Sequence, residues 1–520
     1  MHRHWLLSIA ILSLAGCAAN PVTGKQEIQM VSQSQEIQIG QQQYGPGRQS
    51  QGGDYVTDPK VTQYVQQVGA RLAAVADRPL PYELVVLNNG ELNAWALPGG
   101  KIAVNRGLLT ELNNEAELAA VLSHEIVHAA ARHGAQQLEK GQLMQIGAAV
   151  ASVAATTYGG SGLGEMVGQG AMLGAQLLQA KYSREDELEA DKYGMKYMKR
   201  VGYDLQAAVS LQELFLRKFE SGKEQDRLSS LFASHPPSAE RVAENRQTMT
   251  NQGGPGGDLG VDRYQYAISG LKKSAPAYAK ADQALATARK GDLATARSLV
   301  NEAIRMEPRE ARFQGLLGEI EMTAKNPKAA LGDFNKAQQL DPGYFKPIVQ
   351  AGMVQYELGN KAAAEPLLTR SMQLMPTAPG AYYLGRLNED RGSTAEAVKF
   401  YKMAAGSQSQ FGTEAMAHLT RLDLAQNPET YLAIQAQMDN QGRVWLTVGN
   451  RTTVPITDVS ILVGVVDQAG RTAYGPDRVG TGSNAIPPRK AVNLKTDLGP
   501  FQSGDVLRYV KWKVESARAP

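Results

Sequence analysis

The chain has 520 residues, a formal net charge of +3, 43% hydrophobic residues, one cysteine and seven histidines. That length exceeds one ordinary domain, the near-balanced charge offers no basic stripe for nucleic acid, and a lone cysteine excludes an internal disulfide. Stability therefore has to come from packed cores.

The first residues read MHRHWLLSIAILSLAGCAAN. Arg3 precedes an apolar run from Trp5 to Ala15 that is too short to span a bilayer and has the form of a signal-peptide core. Its end, LAGC, resembles a bacterial lipobox, which implies removal of residues 1–16 and lipidation of Cys17. Ala18 after the cysteine is, by resemblance to Gram-negative lipoproteins, the mark of an outer-membrane anchor facing the periplasm. Residues 17–56 are polar and Gln-rich, a tether with one short helix.

Residues 57–250 are predicted mostly helical, with one β-rich region, YELVVLNNGELNAWALPGGKIAVNRGLL, broken by Asn-Gly and Pro-Gly-Gly turns. A helix follows in VLSHEIVHAAARHG: Asn114 caps it, Glu117 sits where a capping box wants it, and Gly134 marks its end. Leu118, Val121, Leu122 and Ile126 form its core stripe. His124 and His128 stand at i and i+4, so both imidazoles leave one face a turn apart. With Glu125 between them they form H-E-x-x-H, two ligands for one Zn²⁺ per chain and a carboxylate that can take a proton from water. The rival reading is a pair of core histidines bonded to backbone. His133, off the ligand spacing, is read as a group behind the ligands.

Catalytic zinc takes a third protein ligand, and YSREDELEADKYG is the place to seek it. Glu187 and Asp191 share a face there, so one can bind metal while the other holds a ligand histidine through its second ring nitrogen. Residues 141–178, between the two motifs, are apolar but interrupted by Gly and Gln, with no stretch long enough to span and no G-x-G-x-x-G; they are expected to form packed helices or a mobile cover.

NQGGPGGDLG lies in a linker, 251–262. Beyond it Pro308, Pro342 and Pro376 recur every 34 residues, as do Ala296, Ala330 and Ala364, with Ala397 one residue short of the next interval. Ala303, Ala337, Ser371 and Ala404 make a second column of small residues. The period resembles tetratricopeptide repeats over 263–426, an array that binds proteins and does no chemistry. Residues 427–520 alternate apolar and polar with β-branched residues and turn signals, as a small antiparallel β-sandwich would.

H-E-x-x-H followed by SREDELEAD resembles the HtpX and CAAX-prenyl-protease family of zinc metallopeptidases, a gluzincin family. Its E-x-x-A-D pattern implies Glu187 as third ligand, with Ala190 and Asp191 completing the match. LNAWALPGGKIAVNRGLL, with Asn93 and the Pro98-Gly99-Gly100 turn, Arg132-His133, and SHPPSAERV, carrying His235 and Arg241, extend the resemblance over residues 27–248. With the repeats, the chain looks like the periplasmic BepA-type branch, in which the residue matching His235 also reaches zinc and restrains the enzyme. The fold implied is α+β: a mostly helical zincin-like domain, a repeat solenoid and a β-sandwich-like domain. The function implied is a zinc endopeptidase that cleaves misassembled envelope proteins, with Glu125 as general base and Arg241 or His235 stabilising the oxyanion. Extended substrate is expected to add as a strand along Lys101, Ile102, Ala103 and Val104, near Asn93. Partners implied are protein clients, partner proteins bound by the repeats, including outer-membrane assembly machinery, and the membrane through the lipid. The alternative is a chaperone-like assembly factor whose zinc site is silent or regulatory.

Overall fold

The computed structural model describes residues 16–141, 181–221 and 225–520. The apolar leader, the side chain of Cys17 and the expected cover over 142–178 lie outside the described residues. Among the described residues no helix is long and apolar enough to cross a membrane. The chain divides into two compact units between Ala351 and Gly352.

In the first unit, β1 (Gly16–Ala19) pairs antiparallel with β2 (Gln26–Gln29). The helix expected in the Gln-rich stretch spans 18 residues, Gln33–Ser50, and is started by a Ser32–Gln35 capping box. A three-stranded sheet follows, with β3 (Glu83–Leu87), β4 (Ala94–Leu97) and β5 (Lys101–Asn105) in the order β3-β5-β4. β3 runs parallel to β5 and β4 antiparallel to it. The β4–β5 turn needs Gly99 and Gly100 at φ 77° and 84°, and a Cβ on Gly99 would lie 2.6 Å from the Ile37 Cα of the Gln33–Ser50 helix.

The sheet is buried on both faces. One face, with Leu84, Val86, Ile102 and Val104, packs on Val61, Val65, Val68 and Leu72 of the helix Pro59–Ala73 and on Leu118, Leu122 and Ile126 of the helix Glu115–Ala130. The other, with Val85, Leu87, Trp95 and Ala103, packs on Tyr44 and Leu138.

The H-E-x-x-H helix is fixed at both ends. Asn114 accepts from the Glu117 N–H, and the Glu117 carboxylate accepts from the backbone N–H of Asn113 rather than that of Asn114. The helix ends at Ala130, short of Gly134, because Arg132 takes φ 65° and a new helical stretch begins at 133. That strained turn is held by the Arg132 guanidinium, which bonds Glu36 at 2.7 Å, Glu27 at 2.8 Å, Glu139 at 3.0 Å and the Val31 carbonyl at 2.8 Å.

At the helix start the Glu115 carboxylate, 1% exposed, accepts from Arg71, Arg263, Tyr64 and Tyr203. Burial alone would raise its pKa, but those donors outweigh it and hold the group at about 2. The folded pKa lies below the unfolded value of about 4.3, so this network's contribution is full near neutral pH and fades as pH falls through that window. The full contribution is about 3 kcal/mol. Urea unfolding should show the native chain losing about 2 kcal/mol more than Glu115→Gln as pH falls from about 6 to about 3. Parallel losses in both proteins would refute the assignment.

The repeat helices begin with the pairs Ser269–Arg289 with Leu293–Met306 and Ala311–Thr323 with Pro327–Leu340. They dock on the sheet domain through Glu310, 1% exposed, which accepts from Thr57, Asn88 and Tyr278. The helix Phe345–Glu357 follows. In the second unit come Lys361–Leu374, Ala378–Asp390, Thr394–Ala405 and Gln410–Asp423. Both small-residue columns are fully buried, from Ala296 to Ala397 and from Ala303 to Ala404. A third column went unread in the sequence. Gly318, Gly352 and Gly385 each face a large residue 16 positions on, and a Cβ would lie 2.5, 2.8 and 2.6 Å from Phe334, Leu368 and Tyr401.

The C-terminal strands β6 (Leu432–Met438), β7 (Val444–Asn450), β8 (Thr457–Val466), β9 (Thr472–Gly480), β10 (Ala491–Lys495) and β11 (Val510–Arg518) make two three-stranded antiparallel sheets, β10-β7-β6 and β11-β8-β9. Alternate residues of β7 and β8 are buried, the period expected of sheets with one inward face.

Candidate metal centre

His124 and His128 leave the H-E-x-x-H helix toward the helix Arg184–Val201, which Ser183 caps in a capping box with Asp186. The two helices approach closely because Gly194 stands opposite Ser123 and His124; a Cβ there would lie 3.1 Å from the Ser123 hydroxyl. Glu187, Asp191 and Gly194 are at i, i+4 and i+7, so that approach brings both carboxylates to the histidines. His235 enters from the end of the helix Gln225–Ser234, its N–H bonded to the Leu231 carbonyl.

His124, His128, Glu187 and His235 each offer one ligand atom, and these atoms lie within 4.8 Å of one another. The Nε2 atoms of His124 and His128 are 2.9 Å apart, and His235 Nδ1 is 3.3 Å from His124 Nε2 and 2.9 Å from Glu187 Oε1. Behind them the free ring positions are engaged. His124 Nδ1 is 2.9 Å from Asp191 Oδ1, which makes it the donor and leaves Nε2 as a lone pair. His128 Nδ1 is 2.9 Å from His133 Nδ1, and His133 Nε2 points toward Glu189 at 3.6 Å. With Nδ1 as the donor, His128 also presents its Nε2 lone pair to the centre. Lone pairs converging at these distances repel unless a cation lies among them. The donor set of imidazoles plus one carboxylate suits Zn²⁺.

The acidic partners draw positive charge to this cluster, a proton or a metal ion alike. Arg241 straddles Asp191 with Nε and Nη2, both at 2.8 Å, and reaches Glu187 Oε2 with Nη1 at 2.6 Å. Burial works to raise the Glu187 carboxyl, but Arg241, His235 and His124 hold it well below the usual range, and Asp191 is held low in the same way. Burial works against charge on His124, yet Glu187 and Asp191 push it up to about 10. Burial drives His128 the other way, toward the neutral imidazole a metal needs.

Glu125 is not among the converging ligands. It is 2% exposed, Oε2 has no hydrogen-bond partner among the described residues, and burial raises its carboxyl. His235 Nε2 is its neighbour at 3.7 Å. A cavity of about 50 Å³ opens beside Glu125 and His124, with apolar walls from Val121, Leu211 and Phe215.

The expected strand addition along Lys101–Val104 does not hold. β5 is the central strand, hydrogen-bonded to β3 on one side and β4 on the other, and has no edge to offer. The Lys101 side chain turns away to an ion pair with Glu83. Asn93 precedes β4; its carbonyl accepts from the Asn105 N–H at 2.8 Å, and its buried Oδ1 has no partner among the described residues. Two neighbours went unread in the sequence. Tyr182 stacks on His128 with ring centroids 3.8 Å apart, and Gln212 brings Nε2 to 3.5 Å from Asp191 Oδ1. Tyr182 lies just before a helix cap and Gln212 mid-helix, outside any motif spacing.

A model of peptidase family M48 matches residues 59–249, and one for the tetratricopeptide repeat matches 281–345. Metalloprotease YcaL of Escherichia coli K12 is 30% identical over 191 residues, covering 35% of this chain and 70% of that protein. The chain belongs to peptidase family M48. The matched region carries every member of the metal cluster, so the zinc site sits inside the M48 domain and the repeats follow it. Beta-barrel assembly-enhancing protease of Escherichia coli K12 is 29% identical over 216 residues, 38% of this chain and 43% of that protein. The Yersinia pestis protein of the same name is 28% identical over 367 residues, 63% of this M48 chain and 72% of that protein. The chain thus spans less than half the length of the Escherichia coli relative in that match.

Proposed function

We propose that this chain is a zinc endopeptidase of the bacterial envelope, anchored through Cys17 at the outer membrane, that cleaves misassembled proteins while the repeats hold clients or partner proteins. The observation that carries the proposal is Glu125, a buried carboxylate beside the metal ligands but outside the ligand set, which a purely structural zinc site has no use for. The name of the relatives, a protease that enhances β-barrel assembly, supports outer-membrane proteins as the client class.

In this reading His124, His128 and Glu187 hold the ion, which supplies Lewis acidity and a water of lowered pKa. Glu125 accepts a proton from the attacking water and delivers it to the leaving amine. Asp191 and His133 fix the two imidazoles from behind, and Arg241 keeps both acidic partners ionised and in place. Arg241 is thereby a positioning residue, since its donors are directed at Glu187 and Asp191. Extended substrate adds to β4, whose outer edge is unpaired among the described strands and whose first residue, Ala94, lines the cavity beside Glu125.

A four-ligand set is the closed form of a zinc site, and catalysis requires an open position. His235 fills the fourth place, so it restrains the site and has to withdraw for water and substrate to enter. The closed set is also what favours the alternative, an assembly factor with a silent or regulatory zinc site. Casein cleavage by the purified protein separates them. His235→Ala should retain zinc and cleave faster than the native chain; no cleavage by either protein would leave the silent-site reading standing.

A further inference from the structure

Arg106 follows β5 directly and is 6% exposed. Burying a guanidinium is expensive unless an anion accompanies it. Here its hydrogen-bond acceptor is the neutral Asn88 Oδ1, at 2.8 Å from Nε, and its plane lies over the Tyr278 ring with Cζ 3.3 Å from the centroid. The nearby carboxylate of Glu310 is spent on Thr57, Asn88, Tyr278 and the Arg312 N–H. The two terminal amino groups of Arg106 have no acceptor among the described residues.

They belong to a cavity of about 220 Å³ whose opposite wall is built by the repeat helices. Arg289, Arg312 and Lys346 line it with Arg106, against the carboxylates of Asp282 and Glu319. Glu319 is occupied by Lys346 at 2.6 Å, and Arg289 has no ion pair among the described residues. Cationic character is thus in excess. Burial pulls the Arg106 guanidinium below its ordinary value, and Arg312 beside it acts in the same direction. Tyr278, Phe313 and Tyr344 add flat surface next to the cations.

We propose that this cavity, formed jointly by Arg106 of the M48 domain and the first repeats, is a receptor for a peptide carboxylate, with an aromatic or apolar residue beside it. A planar guanidinium with two free amino groups matches a carboxylate in bidentate fashion, and the tyrosine behind it fixes its plane. The volume accommodates the carboxylate and about one residue, not a folded domain. Two sources share this chemistry, the free C-terminus of a client and an internal Asp or Glu side chain. The site gives the client-holding role proposed above a chemical basis, yet it binds without cleaving, so its test does not depend on catalysis.

The test is fluorescence anisotropy of the full chain with fluorescein-labelled Gly-Ser-Gly-Ala-Phe carrying a free C-terminus, the same peptide amidated, and amidated Gly-Ser-Gly-Glu-Phe. The free-terminus peptide should bind, and amidation should weaken it about tenfold or more, the loss of one charge-assisted pair. Arg106→Gln should cause a similar loss. Arg289→Gln, at an exposed position, should also weaken binding of the free-terminus peptide. If the amidated glutamate peptide binds as well as the free-terminus peptide, a side-chain carboxylate is the natural source, and the receptor stands. Equal affinity for the free peptide and its uncharged amide, or indifference to both substitutions, would overturn it. Failure of casein cleavage with peptide binding intact would instead count against the protease reading.

Discussion

Glu125→Gln is expected to end casein cleavage while leaving zinc at about one ion per chain. The amide keeps the size and place of the side chain but cannot accept a proton. General acid–base steps contribute about 10²–10⁴-fold to rate, and here one carboxylate serves both proton transfers, so the loss should lie at the upper end. Folding should be unharmed, because Glu125 Oε2 makes no hydrogen bond that the substitution would break. Burial already disfavours the ionised carboxylate, so a neutral replacement should if anything raise the unfolding midpoint. Elemental analysis, thermal unfolding and the casein assay on one preparation separate these effects. A glutamine form that cleaves at the native rate would remove Glu125 from the chemistry, and with it the argument that this is more than a structural zinc site.

The parts of this molecule that were legible in the sequence are those set by local periodicity. His124 and His128 meet because an α-helix brings i and i+4 together, and the two columns of small repeat residues are buried because a fixed period puts them on one face. Glu187 and Asp191 were likewise readable as a pair, whereas their division of labour came from the likeness to a family. What remained hidden depends on which element meets which. Nothing in KIAV says that β5 is central, since strand order is decided by pairing across distant segments. The helix expected in the polar N-terminal stretch is longer than its composition suggested, running over Gln33–Ser50 from a Ser32-x-x-Gln35 cap. The end of the H-E-x-x-H helix was misplaced for a related reason. Gly134 is the residue expected at a stop, but a buried Arg132 held by three carboxylates can carry the left-handed turn instead.

The division of labour between the two acidic residues makes Glu187→Ala the most disruptive single change at the site. The ligand set would lose its only carboxylate, which lies 2.9 Å from His235 Nδ1. Arg241 keeps both bonds to Asp191 and the 3.3 Å bond from Nη1 to the Pro236 carbonyl but loses the charge of Glu187 facing Nη1. Removing one partner of a buried ion pair costs about 3–5 kcal/mol, and the surviving bonds to Asp191 place this case near the lower figure. The purified variant should therefore contain almost no zinc after dialysis, show no casein cleavage and unfold at a lower urea concentration. Glu187→Gln discriminates between the two losses: the amide fills the space and can accept from Arg241, so stability should partly return while zinc stays low. Unchanged zinc content in both variants would mean that the ion, if held at all, is held by the three histidines alone. In that case His235 would be a permanent ligand rather than a restraint, and the prediction that its removal accelerates cleavage would fall with it.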